Sequence, residues 1–238
     1  MKTAIIIGAS SGIGRALAVT LSLDGYRVGA VARRTDLLTQ LRSELAGPCV
    51  IKTIDVSEPD QAMLRLRELI EELRDVELFI ISAGTGFDNA ALVWEPERDT
   101  IAVNVLGFAS MVNVASAHLE ARGAGHLVGI SSLAALRGVG GAPAYAASKA
   151  FVSSYLQGVR YRFTKLKLPI VVTEVQPGFV DTAMAKAERL FWVASPQKAA
   201  RQIAAAIRGR KRHVYVTRRW RLIAWLMRVV PDSVYARL

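Results

Sequence analysis

A tyrosine and a lysine stand four residues apart in the segment Tyr145-Ala146-Ala147-Ser148-Lys149. On a helix, positions four apart share a face, so the lysine ammonium would lie one turn from the tyrosine hydroxyl. A free tyrosine has a pKa of about 10, but a nearby cation favours the phenolate and makes the side chain a usable acid or base near pH 7. The same spacing occurs by chance on many helices, so the pair alone leaves an ordinary helix surface as the alternative.

A glycine-rich segment, Gly8-Ala9-Ser10-Ser11-Gly12-Ile13-Gly14, follows the apolar run at residues 4–7. Gly8 would permit a tight turn, Gly12 would let the backbone approach a pyrophosphate, and Gly14 would let a helix pack closely on a sheet. Backbone N–H groups at the start of that helix favour anions. The spacing is not the G-x-G-x-x-G of many dehydrogenases, so the motif alone fits a phosphate cradle and a simple turn equally well.

Strands and helices that could position these residues alternate along the chain. The pattern predicts strands at residues 4–7, 27–32, 50–54, 78–82, 126–131, 170–175 and 214–217. It predicts helices at 12–23, 35–45, from a cap at Ser57 to 73, at 97–119, 145–165, from Ser195-Pro196 to 208, and at 219–230. This alternation indicates an α/β fold, a Rossmann-like doubly wound parallel sheet with helices on both faces. We predict a single domain over residues 1–217 and a basic, apolar helical extension over 218–238.

Charge is unevenly distributed in this chain of 238 residues, of which 52% are hydrophobic. The net charge is +11, and residues 208–238 contain nine Lys or Arg and one acidic residue, Asp232. Basicity is therefore mainly a property of the C-terminal end. The tail has no recognised nucleic-acid motif, and nucleic-acid binding is not expected.

Cysteine and histidine usage gives no indication of a metal site. The single cysteine, Cys49, has apolar neighbours and is predicted to be a buried, reduced thiol. His118, His126 and His213 have no partners at ligand spacing. The apolar start is too short for a secretory signal, and no uninterrupted apolar run approaches bilayer length, so a cytoplasmic location is expected.

Several motifs, taken in order, resemble the short-chain dehydrogenase/reductase superfamily over about residues 1–217. They are the glycine-rich turn, Asp55-Val56, Ser82-Ala83-Gly84, Asn104, Ser132, Tyr145 with Lys149, and Pro177-Gly178-Phe179-Val180-Asp181-Thr182. Each motif is weak alone, but their joint order is specific. The resemblance implies about seven strands in the order 3-2-1-4-5-6-7.

The resemblance also implies a catalytic tetrad of Asn104, Ser132, Tyr145 and Lys149. Ser132 precedes Tyr145 by thirteen residues, the family spacing, and is therefore preferred to Ser131. Tyr145 would give a proton to the carbonyl oxygen or accept it in reverse, while Lys149 would lower its pKa and bind the nicotinamide ribose. Ser132 would orient the substrate oxygen, and Asn104 would hold a water that links Lys149 to solvent.

A nicotinamide dinucleotide is the implied cofactor, with Asp55-Val56 at the adenine and the 177–182 segment at the nicotinamide. The implied binding residues are Gly8, Ser10, Ser11, Gly12, Ile13, Gly14, Arg33, Arg34, Asp55, Val56, Ser82, Ala83, Gly84, Tyr145, Lys149, Pro177, Gly178, Val180 and Thr182. Two positions depart from the family, Ile7 where it usually has Thr and Ser82 where it usually has Asn. These departures put the bracing between the first and fourth strands in doubt more than the chemistry.

The end of the second predicted strand indicates which cofactor is used. An acidic residue there would select NAD, but the chain reads Val31-Ala32-Arg33-Arg34 and has no acid before Asp36. Arginine suits a phosphate by charge and by its forked geometry. We predict NADP in preference to NAD, with Arg33 on the 2′-phosphate and Arg34 secondary. Two solvated arginines at a helix start are the alternative.

The substrate is expected to lie under the short segment 183–195. Its apolar residues, and others that could line the site, are Ala183, Met184, Leu190, Phe191, Trp192, Val193, Leu133, Val139, Phe87 and Trp94. No basic pair is evidently placed to grip a carboxylate or a CoA phosphate, although Lys186 and Arg189 are nearby. This favours a small or medium apolar ketone, aldehyde or alcohol, with core or dimer contacts as the alternative role of each apolar residue.

The leading hypothesis is therefore an NADP-dependent carbonyl reductase or alcohol dehydrogenase. A non-catalytic dinucleotide-binding regulatory or scaffold protein is the alternative. The resemblance implies a homodimer or homotetramer. For residues 219–238, packing on the body or on a second subunit is favoured over contact with a membrane interface.

Overall fold

A single parallel sheet organises the protein, whose computed structural model describes residues 1–182 and 191–235. Its seven strands lie in the order β3-β2-β1-β4-β5-β6-β7, as the resemblance implies. The strands are β1 (Thr3–Ile7), β2 (Arg27–Ala32), β3 (Cys49–Thr53), β4 (Leu78–Ile81), β5 (Gly125–Ile130), β6 (Ile170–Pro177) and β7 (His213–Val216). The order reverses direction between β1 and β4, which is where open α/β sheets form a ligand crevice.

Helices connect the strands and cover both faces of the sheet. They are α1 (Gly12–Leu23), α2 (Thr35–Glu44), α3 (Pro59–Leu73), α4 (Trp94–Ile101), α5 (Phe108–Arg122), α6 (Pro143–Lys165), α7 (Pro196–Arg208), α8 (Trp220–Val229) and α9 (Asp232–Tyr235). A π-helical turn, Ala102–Gly107, joins α4 to α5, and a 3-10 turn, Leu133–Leu136, follows β5. Ser195 caps α7 as predicted, since its hydroxyl accepts the Lys198 N–H.

Alternate residues of β1 enter two separate cores. Ile5 and Ile7 pack into the cluster that contains apolar residues of α3, α5 and α6. Ala4 and Ile6 pack into the cluster formed with α1 and α7 on the other face. Burial on both faces explains why the central strands read as continuous apolar runs in the sequence.

Several helix starts differ from the sequence prediction. Ser57 does not cap α3, which begins at Pro59 with Glu58 in the cap position. The Ser57 hydroxyl instead donates to Asp55 Oδ1 at 2.7 Å. The long helix begins at Trp94 rather than at residue 97, and the short helix α9 was not predicted.

The continuous helical segment Trp94–Arg122 is long and apolar enough to cross a membrane by length and composition alone. In this fold it contributes to the core, because Phe108, Met111 and Leu119 are almost fully buried in the cluster shared with α3 and α6. Packing against the sheet accounts for its hydropathy.

Candidate active site

The turn from β1 to α1 is closed by main-chain contacts that exclude side chains. Gly8 has a φ of 94°, and a Cβ there would lie 2.4 Å from the Ala83 nitrogen. A Cβ on Gly14 would lie 2.1 Å from the Gly8 oxygen. The Gly8 and Ala9 nitrogens both donate to the Val31 oxygen, at 2.8 and 2.9 Å. Gly8 is therefore needed for its positive φ, and Gly14 is needed for the close approach of α1 to the sheet.

Gly12 opens the start of α1 towards the segment after β6. Its φ is 56°, and a Cβ there would lie 3.1 Å from Thr182 Cγ2. Ser11, in the cap position of α1, makes no side-chain capping hydrogen bond. The first N–H groups of α1 therefore lack a side-chain cap, which is the arrangement that accepts an anionic group.

The joint between β1 and β4 is made by the main chain. The Ile7 oxygen accepts hydrogen bonds from both the Ser82 and the Ala83 nitrogens, each at 2.8 Å. The Ile7 side chain is fully buried in the core. The bracing that the sequence placed in doubt is thus supplied without a threonine or an asparagine side chain.

The two arginines after β2 point to different partners. Arg34 Nη2 donates to Ser10 Oγ at 3.0 Å and to Ser11 Oγ at 2.9 Å, on the glycine-rich turn. Arg33 Nη1 lies 3.6 Å from Asp55 Oδ2, at the end of β3. Arg34 is therefore the arginine that contacts the turn, whereas the prediction from sequence placed Arg33 on the 2′-phosphate and made Arg34 secondary.

Tyr145 and Lys149 lie on α6 beside the carboxyl ends of β4 and β5. Lys149 Nζ is 5.7 Å from the centre of the Tyr145 ring and donates to the Ile130 oxygen at 3.3 Å. Burial lowers the pKa of Lys149 to about 8. Burial also raises the pKa of Tyr145, and hydrogen bonding with the Ser132 hydroxyl lowers it. The main effect on Tyr145 is thus opposite in sign to the one expected from its lysine neighbour.

Two glycines after β4 leave room around this pair. A Cβ on Gly84 would lie 3.2 Å from Lys149 Nζ and 3.3 Å from Asn104 Oδ1. A Cβ on Gly86 would lie 2.6 Å from Tyr145 Cδ2, so the tyrosine ring rests directly on the backbone. Gly86 was not singled out in the sequence, where it follows the Ser-Ala-Gly motif by two positions.

Asn104 lies in the π-helical turn and is buried. Its Oδ1 accepts from the Thr85 nitrogen at 2.9 Å, and its Nδ2 donates to the Thr85 oxygen at 2.7 Å and to Ser148 Oγ at 2.9 Å. The side chain thus joins the segment after β4 to α6. Both of its side-chain polar atoms therefore have protein partners.

The neighbouring serines at the end of β5 differ in their surroundings. Ser131 Oγ is buried, donates to the Lys149 oxygen at 2.9 Å and lies 2.8 Å from Ser153 Oγ. Ser132 is half-buried, and its Oγ accepts from the Ala134 nitrogen at 3.1 Å. Ser131 is engaged in holding α6, whereas Ser132 faces the Tyr145 hydroxyl.

Behind the pair lies a buried polar network that sequence reasoning missed. Ser153 Oγ donates to Glu174 Oε1 at 2.5 Å, and Gln176 Nε2 donates to the same oxygen at 2.8 Å. His213 Nε2 lies 3.0 Å from Gln176 Oε1. The signal in the sequence was the presence of Glu and Gln inside an apolar strand, because buried polar groups require partners.

The segment after β6 packs on an aromatic cluster. A Cβ on Gly178 would lie 2.2 Å from Trp220 Nε1, so Trp220 lies flat beneath this glycine. The centre of the Trp220 ring is 5.5 Å from Phe179, 5.1 Å from Phe191 and 5.7 Å from Trp192. Trp220 Nε1 is buried and has no hydrogen-bond partner among residues 1–182 and 191–235.

The other predicted substrate-side residues are distributed unevenly. Leu133 is buried against Trp220, whereas Phe87, Trp94 and Val139 are exposed. Ala183, Met184, Lys186, Arg189 and Leu190 lie outside the described residues.

Arg137, five residues after Ser132, ties the loop that follows β5 to the C-terminal helices. Its Nε donates to the Met227 oxygen at 2.5 Å, its Nη2 donates to the Val230 oxygen, and its Nη1 pairs with Asp232. Its guanidinium also lies 5.1 Å from the centre of the Tyr235 ring. The extension beyond β7 therefore packs on the loop that follows β5.

No group of three His, Cys, Asp or Glu side chains within the described part of the chain is arranged to hold a metal ion. The carboxyl edge brings together a tyrosine hydroxyl, a lysine ammonium and a serine hydroxyl, next to a glycine-rich turn.

Comparisons with known proteins identify the family of the chain. The family model described as short chain dehydrogenase matches residues 2–191. A Myxococcus xanthus protein named "Uncharacterized oxidoreductase" is 40% identical over 190 residues, covering 77% of this chain and 74% of that protein. A similarly named Mycobacterium tuberculosis protein is 33% identical over 189 residues, covering 76% of this chain and 74% of its own length.

Solved structures share the fold. A short-chain dehydrogenase/reductase from Burkholderia phymatum in complex with NAD has a TM-score of 0.84 at 20% identity, covering 94% of this chain and 92% of that one. An alcohol dehydrogenase from Thermococcus sibiricus complexed with 5-hydroxy-NADP has a TM-score of 0.78 at 22% identity, covering 90% and 95%. With the family match over most of its length, the chain belongs to the short-chain dehydrogenase/reductase family of oxidoreductases.

Proposed function

We propose that the protein is an NADP(H)-dependent oxidoreductase that interconverts a carbonyl and an alcohol on a small to medium apolar substrate. The observation that carries the proposal is the convergence of Tyr145, Lys149 and Ser132 at the carboxyl edge of the sheet. Gly84 and Gly86 have no side chains that would crowd the lysine and the tyrosine. Binding alone requires neither the tyrosine nor the serine hydroxyl.

The residues at the β1–α1 turn fit a dinucleotide. Gly8 and Gly14 keep side chains out of the turn, and the uncapped start of α1 suits a pyrophosphate. Gly8, Ser10, Ser11, Gly12 and Ile13 would hold that group. Asp55 and Val56 would hold the adenine, and the 177–182 segment would hold the nicotinamide. When bound, the dinucleotide supplies or accepts the hydride.

Tyr145 would carry the proton at its hydroxyl. Lys149, with a pKa of about 8, is mostly protonated at pH 7, and its charge near the ring favours the phenolate. The Ser132 hydroxyl also lowers the tyrosine pKa and would orient the substrate oxygen. Asn104 would position the pair by joining Thr85 to Ser148, one residue before Lys149.

A preference for NADP is supported by the absence of an acidic residue between Ala32 and Asp36 and by the two arginines in its place. The contacts of Arg34 with Ser10 and Ser11 put one guanidinium beside the turn, where it could pair with a 2′-phosphate. We therefore assign the phosphate to Arg34, with Arg33 second.

The apolar character of Leu133, Phe179 and Trp220 supports an apolar substrate. A homodimer or homotetramer and a cytoplasmic location are part of the same proposal. The competing function, a non-catalytic dinucleotide-binding regulator or scaffold, is favoured only by the burial that raises the pKa of Tyr145.

The test is oxidation of NADPH and of NADH against ketones, aldehydes and diketones, followed at 340 nm, with the reverse reaction on alcohols. We expect turnover with NADPH, and a loss of about 10²–10⁴-fold in the Tyr145→Phe variant without loss of NADPH binding. Near-normal turnover in Tyr145→Phe would refute the tyrosine's role. Equal affinity for NADH and NADPH would refute the cofactor preference.

A further inference from the structure

Helix α8 presents apolar side chains on two opposite faces. On the inner face Trp220 and Ala224 are buried, and Ile223 packs with them near Leu133. On the outer face Leu222, Trp225, Leu226 and Val229 are 69%, 65%, 48% and 53% exposed. We call these four residues the α8 outer face.

The spacing of the outer face shows that it is one continuous stripe. Its residues follow the i, i+3, i+4, i+7 pattern that aligns side chains on one side of a helix. The inner residues stand on the opposite side at the same period. Packing on the rest of the protein therefore buries only the inner apolar face of α8. The outer apolar face is exposed to solvent.

Arginines border this stripe. Arg221 and Arg228, seven residues apart, lie along one edge of α8 and are exposed, and Arg218 is exposed in the turn that leads into the helix. Helix α8 contains no acidic residue, and the nearby Asp232 is paired with Arg137. The combination of a Trp and Leu stripe with a basic border is typical of helices that lie in the interface of an anionic membrane.

Exposed aromatic side chains also lie at the start of α8. Phe191 and Trp192 are 50% and 39% exposed, and both rings contact Trp220 at the start of α8. The Arg219 guanidinium lies 5.0 Å from the centre of the Trp192 ring. Exposed aromatic rings and a basic group therefore lie side by side at the N-terminal end of α8.

We propose that the α8 outer face docks the protein on an anionic lipid bilayer as a peripheral protein. Trp225, Leu222 and Leu226 enter the headgroup region, and Arg218, Arg221 and Arg228 pair with lipid phosphates. A second copy is the less suitable occupant, because antiparallel pairing through this stripe brings Arg221 and Arg228 of both copies to the same edge without an opposing acid. This proposal does not depend on the proposed reaction.

The test is co-sedimentation of the full chain with sucrose-loaded vesicles of phosphatidylcholine alone or with 40% phosphatidylglycerol. We expect binding to the anionic vesicles only, reduced by high salt because screening weakens the arginine contribution. The triple variant Leu222→Ser/Trp225→Ser/Leu226→Ser should lower the partition coefficient at least ~10-fold. The double variant Arg221→Glu/Arg228→Glu should lower it at least ~10-fold, because each basic residue near such a surface contributes roughly fivefold.

The matched control is Leu64→Ser/Arg67→Glu on α3, which removes an exposed leucine and an exposed arginine elsewhere. It should bind vesicles like the wild type. All of these positions are exposed, and far-UV circular dichroism should show an unchanged fold. Tryptophan emission should shift to the blue on anionic vesicles and lose most of that shift in Trp225→Phe.

Three results would overturn the proposal. One is no binding of the wild type at low salt. Another is equal loss in the α3 control, which would indicate non-specific adsorption. The third is a dimer in sedimentation equilibrium that dissociates in the triple variant, which would make a second copy the occupant. None of these assays uses the cofactor or measures turnover, so a failure of the membrane-docking proposal is distinguishable from a failure of the proposed reaction.

Discussion

The proposed nucleotide side of the carboxyl edge, at the β1–α1 turn, and the proposed substrate side, around Trp220 and the loop after β5, are built by different means. On the nucleotide side, backbone groups of Gly8, Gly14 and Ala83 are in such close contact that a single Cβ would collide. On the substrate side, Trp220 and its aromatic neighbours fill the space with large side chains, and Arg137 fastens the C-terminal helices by its guanidinium. Close main-chain contacts require glycine at fixed positions, so they produce a motif that can be recognised in a sequence. Packing of large side chains can be achieved by many residue types and produces no such motif.

The largest effect is expected where the nucleotide side depends on the backbone. Gly14→Ala places a Cβ against the Gly8 oxygen and should lower the free energy of unfolding by about 3 kcal/mol or more, with loss of NADPH binding. Gly158→Ala, on the open face of α6 with nothing within 4 Å, should raise it by up to ~1 kcal/mol. Urea unfolding and NADPH titration measure both. Wild-type stability in Gly14→Ala would contradict the claim of main-chain closure.

Lys149, where the two sides meet, gives a pH-dependent prediction. Its pKa of about 8 in the folded protein lies below the ordinary 10.5, so between these values the unfolded chain binds more protons. The free energy of unfolding should therefore rise from about pH 8 to about pH 10.5, by about 3 kcal/mol, and lack this gain below pH 8. Lys149→Met should remove the rise. Parallel pH dependences of the two proteins in urea unfolding would show that the lysine is not desolvated.

The two arginines after β2 give a prediction for cofactor binding. If Arg34 meets the 2′-phosphate, Arg34→Ala should weaken NADPH binding by about 10–100-fold, since hydrogen bonds to charged groups contribute roughly 1.5–3 kcal/mol. Arg33→Ala should have the smaller effect, and NADH binding should change little in either. Calorimetric titration with both nucleotides measures this. A larger loss in Arg33→Ala would restore the order expected from sequence.

The smallest effect is expected from the fastening on the substrate side. Arg137→Ala removes the contacts to Met227, Val230 and Asp232 and should increase the rate of proteolysis within residues 218–235 by about tenfold. Helix α1 and the glycine turn should remain protected. Arg98→Ala, which removes an exposed pair with Asp99, is the control and should leave the rate unchanged. Equal rates in Arg137→Ala and the control would show that the tail is held by aromatic packing alone.

Much of the fold could be predicted from the sequence, because strand and helix periods alternate and glycines mark the turns. The bounds of α1 and β2 agree with the prediction, and the strand order is confirmed. The start of α3 could not be predicted, because a serine hydroxyl can cap a helix or bind a neighbouring carboxylate. Ser57 does the latter, and the choice depends on where β3 leaves Asp55.

Those parts of the candidate site that depend on long-range contacts could not be predicted from the sequence. The difference between Arg33 and Arg34 depends on how β2 ends, and adjacent residues of the same type carry no signal for it. Trp220 contacts Gly178 although the two residues are far apart in the chain, so no local sequence pattern predicts that contact. The local pair Tyr145 and Lys149, by contrast, was predicted to share a helix face, and it does.

The Ile7 oxygen, which accepts two N–H groups from the end of β4, has a consequence for substitution. A joint made by a carbonyl has no side chain to lose, so residue 7 can change among apolar types as core volume permits while the joint persists. Ser82 also takes part through its nitrogen, so the joint does not depend on the serine side chain. A sequence search that looks for a threonine or asparagine side chain at these positions would miss every chain in which main-chain groups make the joint.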